Sequence, residues 1–224
     1  MVESAAHEFM LFGLSFNAET LEMTWMVMAV IVIISIIATR NLKLVPVGLQ
    51  NAFEMIITGL NSQIDTNLGT RGTLLAPFLI SLFLFILISN WWGLIPGMGS
   101  PTNTLNTNLG LALLVVVMLH VLGFYYKGTK YLKHFIEPFA PFIIINLIEE
   151  IAKPITLAFR LFGNIYAGEL LIHFLPQLLP NIIAEAIPGV LWLAFSIFVG
   201  AIQAFVFTML SISYLAPGVK KEED

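Results

Sequence analysis

Ionisable side chains interrupt one apolar stretch of the sequence where simple packing gives no reason for them. The stretch covers residues 148–172 and carries five charged residues: Glu149, Glu150, Lys153, Arg160 and Glu169. On insertion scales, an arginine near the middle of a membrane costs roughly 2.5–3.5 kcal/mol. Charges at that depth typically mark an ion pathway or a partner carboxylate, so this stretch is the first candidate for a functional site.

Arg160 has no acid within reach on its own helix. Glu150 precedes it by ten positions and Glu169 follows it by nine, which places both roughly 13–15 Å away along the axis and in other directions. A salt bridge within the chain needs an acid from another helix, and the other long runs carry only Glu54 and Glu185, both expected at interfaces. That alternative stays open, but the favoured interpretation is that Arg160 faces a carboxylate on another subunit.

The two acids on either side of the Arg160 guanidinium suit an ion path with two stages. Because a guanidinium keeps its charge at any accessible pH, it prevents an ion from running straight from Glu150 to Glu169. Gln203 is the one amide of the last apolar run, and it either lines this path or bonds a neighbouring helix. Lys153 is expected to extend its amine to the membrane interface.

The composition predicts an all-α integral membrane protein. Of the 224 residues, 58% are hydrophobic and only 11% are charged, against about a quarter in soluble domains, so the chain lacks the polar residues to cover a soluble fold. No cysteine is present, which excludes disulfides and thiolate metal sites. His120 and His173 lack a second ligand at helical spacing and are expected to be interface histidines, not metal ligands. The net charge of −4 offers no basic surface to nucleic acid.

Apolar runs divide a single membrane domain, residues 1–224, into helices. Five crossings are expected at these positions: 23–39, 74–96, 109–126, 138–174 and 188–216. Residues 45–70 place apolar side chains at helical spacing opposite a polar face, which predicts an amphipathic helix on the inner membrane surface. Residues 1–22 are expected to form an N-terminal segment outside, and residues 217–224 a cytoplasmic tail.

The basic residues predict the orientation, because Lys and Arg in short loops mark the cytoplasmic side. Eight of the ten fall on one side of the predicted crossings: Arg40, Lys43, Arg71, Lys127, Lys130, Lys133, Lys220 and Lys221. The N-terminus is therefore predicted outside and the C-terminus in the cytoplasm.

Several motifs in this sequence resemble those of one known family. The segments are LAFRLFGNIYAGEL at 157–170, the preceding Lys153–Pro154 pair, PTNTLNTNLGLAL at 101–113, and IQAFVFTMLSISYL at 202–215. In order and spacing they are similar to the a subunit of F-type ATP synthases, over essentially the whole chain. The resemblance implies a bacterial plasma membrane protein.

That resemblance implies a stator subunit of the Fo sector. It would lie beside the rotating ring of c subunits, each with an essential carboxylate, and would work with the b subunit of the peripheral stalk within the lipid bilayer. Residues 138–174 and 188–216 would be long, tilted helices against the ring, and two offset half-channels would carry H⁺, or alternatively Na⁺. The subunit would need no cofactor and would catalyse no nucleotide chemistry itself, although it belongs to an ion-translocating ATPase.

The resemblance also assigns roles by position. The essential arginine of the family falls on Arg160, its asparagine one turn on falls on Asn164, its channel glutamate on Glu169 and its glutamine on Gln203. Glu150 corresponds to an acid of the cytoplasmic half-channel in related chains.

Ser196 departs from the family pattern. Members of the family have a histidine or an acid at this position, facing the channel glutamate. Because a serine does not relay protons as an imidazole does near neutral pH, water or Glu169 alone would have to serve the outer half-channel. Two other classes of function are weaker alternatives. A self-contained secondary transporter usually shows internal repeats, and none is found here, and a passive anchor would not need Arg160.

Overall fold

The computed structural model describes residues 8–11, 14–95, 97–129, 131, 142–178 and 182–219. Over these residues the chain is a bundle of six α-helices, which confirms the all-α membrane fold. The helices are α1 (Ala18–Thr39), α2 (Leu49–Leu68), α3 (Ala76–Trp92), α4 (Leu105–Lys127), α5 (Phe142–Leu178) and α6 (Ile182–Val219).

A short β-hairpin precedes the first helix and was not predicted. Strands β1 (Glu8–Leu11) and β2 (Leu14–Asn17) pair antiparallel, with Glu8 opposite Asn17. The Asn17 side chain then accepts hydrogen bonds from the backbone N–H groups of Glu19 and Thr20, at 3.0 and 3.3 Å. This N-cap starts α1 five residues before the apolar run at residue 23, because capping depends on one polar side chain and not on hydrophobicity.

Helix α2 and helix α3 follow each other with only a 3-10 turn, Gly69–Leu75, between them. Gly69 ends α2 with φ of +66°, a left-handed conformation that glycine adopts without a steric penalty. Helix α2 packs through one face, where Leu60, Ile64 and Leu68 are buried. At its start, the Gln50 amide bonds both the N–H and the carbonyl of Lys43, which fixes the connection from α1.

Helix α4 contacts both long helices, α3 packs against α6, and α1 lies at the edge of the bundle against α3. One hydrophobic cluster joins residues of α2, α3, α4, α5 and α6, and a second joins α2, α3, α4 and α6. Small residues set the closest approach between α4 and α6. A Cβ on Gly218 would lie 3.2 Å from the Leu119 carbonyl oxygen and 3.3 Å from the Gly123 nitrogen, so the two backbones touch there.

Four stretches of the described residues are long and apolar enough to cross a membrane: Ala18–Thr39, Leu49–Trp92, Leu105–Lys127 and Leu193–Val219. They show a multi-pass membrane protein. Helix α5 is not among the four, although it is 37 residues long, because charged and polar side chains interrupt it. The five crossings and the side of the membrane on which each terminus lies remain predictions.

We expect Gly218→Leu to lower the stability of the bundle by roughly 1–3 kcal/mol, the usual cost of forcing extra atoms into a packed contact. Thermal unfolding of the detergent-solubilised protein measures the effect. Gly110→Leu is the matched control, because a side chain there has no packing neighbour within 4 Å. Equal melting temperatures for the two variants would contradict the close α4–α6 contact.

Candidate functional site

Helix α5 carries the charged stretch, and its two long faces differ in surroundings. Leu157, Ala158 and Leu161 have no exposed surface and pack into the core shared with α3, α4 and α6. The helix continues through Pro154, which lacks the N–H that would bond the preceding turn. One face of α5 is therefore fixed by the bundle, and the opposite face is open.

Arg160 lies on the open face of α5. Its neighbours there are large apolar side chains with about half their surface exposed: Ile155, Phe159 and Tyr166. No ion pair joins the Arg160 guanidinium to any carboxylate in the part of the chain that the structure describes. Gly163, one turn from Phe159, also faces open space. Such a stripe leaves room for another apolar helix to approach closely.

Glu150 lies in a different setting, ten residues before Arg160. Its Oε1 atom is 2.6 Å from Lys153 Nζ, and the same amine is 3.6 Å from Glu149 Oε1. Lys153 is only 8% exposed and its amine lies 5.7 Å from the centre of the Tyr214 ring of α6. The expectation that Lys153 extends to the interface was wrong, because two carboxylates one turn away on its own helix hold the amine inside the bundle.

His120 and Tyr131 complete this cluster, and the sequence did not reveal them as a pair. His120 Nδ1 is 2.9 Å from the Tyr131 hydroxyl, and His120 Nε2 is 4.0 Å from Glu150 Oε2. The Tyr131 ring is 2% exposed and packs where Gly123 has no side chain. Only the return of the loop after α4 brings Tyr131 back to His120, so no helical spacing could have indicated this contact.

Tyr131 lies outside the membrane-spanning helices, and its pKa is raised from 10.0 to about 12. Burial is the larger cause, because it disfavours the charged phenolate. The nearby Glu150 carboxylate is the second cause, by repulsion of like charges. Tyr131 therefore stays protonated over the physiological range and acts as a neutral hydrogen-bond partner of His120.

Gln203 lies on α6, next to the core cluster that joins α6 to α5. It is 4% exposed, and the next residue, Ala204, packs in the same cluster as Leu157 and Leu161. Ser196, two turns earlier on α6, is half-buried. The side chains of Asn164 and Glu169 lie outside the described residues, so the expected pairing of position 196 with Glu169 stays a prediction.

A buried polar cluster fixes α6 near Ser196. The Asn90 amide donates to the Gly200 carbonyl at 3.1 Å, and the Trp91 indole N–H donates to the Ile197 carbonyl at 3.0 Å. Asn90 in turn accepts a hydrogen bond from the Thr102 hydroxyl at 2.9 Å. The cluster thus connects the end of α3 and the turn before α4 to the backbone of α6. We refer to it as the Asn90 clasp.

Comparison with known proteins decides the family. A sequence model described as ATP synthase A chain matches residues 21–216. The chain belongs to the ATP synthase A chain family. It is 44% identical to ATP synthase subunit a of Desulforamulus reducens, over 95% of this chain and 83% of that protein. It is 39% identical to ATP synthase subunit a of Solidesulfovibrio magneticus, over 96% and 92% of the two chains.

Membership of the ATP synthase A chain family fixes the general role. The chain is a membrane subunit that takes part in ion transport and ATP synthesis and works beside the c-ring and the other Fo subunits. Of the residues that the sequence singled out, the structure describes the side chains of Arg160, Glu150, Gln203 and Ser196. It places Arg160 on an open face and the other three on buried or half-buried positions.

The Tyr131 phenol predicts a pH effect on stability. Its raised pKa stabilises the folded protein below pH 10, and this contribution is lost as the pH rises from 10 to about 12. The shift corresponds to roughly 2–3 kcal/mol. Melting temperatures of the wild type and Tyr131→Phe, measured from pH 9 to 12, should show a steeper alkaline fall for the wild type. Parallel curves would show that burial does not stabilise the protonated phenol.

Proposed function

We propose that this chain is the stator through which ions reach and leave the c-ring, with Arg160 as the fixed cation facing the ring. The observation that carries the proposal is the position of Arg160. It lies on an exposed, mostly apolar face of α5, and no ion pair connects it to a carboxylate of the described residues. The ring moves past this cation, and each c-subunit carboxylate is attracted to it in turn.

The energetics of a membrane support a partner for Arg160. A guanidinium at mid-membrane is costly when no opposite charge is near it, and it stays charged because it does not deprotonate in proteins. The apolar side chains beside Arg160 supply no counter-charge, and Gly163 leaves room for a second helix. A carboxylate supplied by a neighbouring subunit therefore satisfies both the charge and the shape of this face.

Two half-channels meet at this cation. Glu150 and Glu169 lie on opposite sides of Arg160 along α5, roughly 15 and 13 Å away at 1.5 Å per residue. Glu150 serves the cytoplasmic half-channel and Glu169 the outer one, with Asn164 and Gln203 lining the path near the arginine. Ser196 provides a hydroxyl in the outer half-channel, where water relays the ion together with Glu169.

Helix length supports a tilted arrangement against the ring. Helices α5 and α6 have 37 and 38 residues, so each is about 55 Å long, nearly twice the roughly 30 Å of a bilayer core. Strong tilt accommodates such lengths within the membrane. In this arrangement the N-terminus lies outside and the C-terminus lies in the cytoplasm. The b subunit of the peripheral stalk is a further partner. Protons are the transported ion, with Na⁺ as the alternative.

Arg160→Ala should abolish coupled ion transport and ATP synthesis, because no fixed cation then attracts the ring carboxylate or separates the half-channels. ATP synthesis and ATP-driven proton pumping are measured in membrane vesicles that contain the whole complex. Arg40→Ala is the matched control, since Arg40 is an exposed arginine in the connection after α1. Synthesis at the control level in Arg160→Ala, with normal amounts of assembled complex, would refute the stator proposal.

Glu169→Gln should slow proton flux without the complete loss expected at Arg160. The amide keeps the size of the side chain but takes up no proton, so water alone must supply the outer half-channel. Passive proton conduction through Fo, followed from pH 6 to 9, measures the change. Glu22→Gln on the exposed surface of α1 is the control. Flux that matches the control at every pH would exclude Glu169 from the ion path.

A further inference from the structure

A partly exposed imidazole lies beside a buried carboxylate in the cluster of His120, Tyr131, Glu150 and Lys153. The proposed half-channels assign a role to Glu150 and none to His120. We propose that His120 is a proton-exchanging residue of the cytoplasmic half-channel, placed between solvent and the buried carboxylate of Glu150. The inference rests on the proposed function, because it assigns a further residue to one of the two half-channels.

Accessibility separates the two groups. The Glu150 side chain is 11% exposed and its Oε2 atom is sealed from solvent, without a hydrogen-bond partner among the described residues. The His120 side chain is 37% exposed. The distance from His120 Nε2 to Glu150 Oε2 is 4.0 Å, about 1 Å more than a typical hydrogen bond. A small rotation of either side chain therefore brings the partly exposed imidazole into contact with the buried oxygen.

Lys153 occupies the other oxygen of the Glu150 carboxylate. Its amine lies 2.6 Å from Glu150 Oε1 and 3.6 Å from Glu149 Oε1. Oε2 of Glu150 is therefore the oxygen that lies toward His120. Histidine is the side chain that most often serves as a proton shuttle in proteins.

The groups that face His120 come from more than one element. The loop after α4 contributes the Tyr131 hydroxyl, at 2.9 Å from Nδ1. Helix α5 contributes the Glu150 carboxylate, with Lys153 and Glu149 behind it. Helix α6 reaches the cluster at Lys153, whose amine lies 5.7 Å from the centre of the Tyr214 ring. Among these described groups, the carboxylate is the charge nearest to the imidazole.

Proton exchange at this imidazole needs no further reactant. When Nδ1–H donates to the Tyr131 oxygen, Nε2 keeps a lone pair on the side of Glu150. A hydronium ion in the half-channel gives its proton to Nε2, so an N–H bond forms as one O–H bond of the hydronium breaks and leaves a water molecule. The imidazolium is then paired with the Glu150 carboxylate. On release, the Nε2–H bond breaks and an O–H bond forms on a water molecule of the cytoplasmic side, which becomes the hydronium.

The test uses His120→Gln in the complete ATP synthase, reconstituted in vesicles. The glutamine retains a polar side chain but takes up no proton, so proton conduction through Fo should fall about tenfold near neutral pH. That is below the usual 10²–10⁴-fold effect of an acid–base group, because water partly substitutes for it. Imidazole added on the cytoplasmic side should restore most of the rate and leave the wild type unchanged.

Tyr131→Phe serves as the second variant. It keeps the imidazole and removes only the hydroxyl beside Nδ1, so conduction should fall less than in His120→Gln and should not respond to added imidazole. Tyr125→Phe is its control, because the Tyr125 side chain is 79% exposed on α4. Assembly of each variant is checked by the amount of c-ring recovered with the complex.

Two results would overturn the inference. The first is a proton conduction in assembled His120→Gln whose pH dependence matches that of the wild type. The second is a slowed proton conduction that added imidazole does not restore, which would assign the cluster a structural role only. Neither result affects the stator proposal, which fails only if Arg160→Ala still supports coupled transport. The failure of one proposal is therefore distinguishable from the failure of the other.

Discussion

A guanidinium keeps its positive charge at any accessible pH, and that of Arg160 is carried by a helix of a membrane protein without an ion pair among the described residues. The fold buries one face of α5 completely and leaves the other open. Leu157, Ala158 and Leu161 anchor the helix in the core. Arg160 is exposed beside this buried face, and no ion pair joins its guanidinium to a carboxylate of the described residues.

The charged side chains of α5 differ in whether they form ion pairs within the described residues. At the Glu150 end, Lys153 provides an internal counter-charge at 2.6 Å, so the ionised groups are paired within the chain. Around Arg160 no such pairing exists among the described residues. The same helix therefore combines a region that is electrostatically closed with one that is open. Under the stator proposal, the paired region belongs to a half-channel and the unpaired one faces the ring.

The sequence predicted the fold well because each apolar run is long and membrane helices must satisfy their own backbone. The start of α1 and the hairpin before it were missed, since one asparagine cap and a short strand pair leave little hydrophobic signal. Arg160 was identified as a candidate functional residue because an arginine inside a membrane carries a free-energy cost that simple packing does not justify. The partnership of His120 with Tyr131 could not be derived from helical spacing, because it depends on a loop that folds back. The pairing of Lys153 with Glu150 and Glu149 lies at helical spacing on α5 and was not predicted, although the spacing allows it.

The Asn90 clasp has a consequence for how this helix pair can evolve. Its two contacts with α6 end on main-chain carbonyl groups, those of Gly200 and Ile197, and not on side chains. A backbone anchor is indifferent to the identity of the residues beside it. Position 196 can therefore exchange a hydroxyl for an imidazole or a carboxylate while the helix keeps its place, so the chemistry of this segment can diversify without any redesign of the packing that supports it.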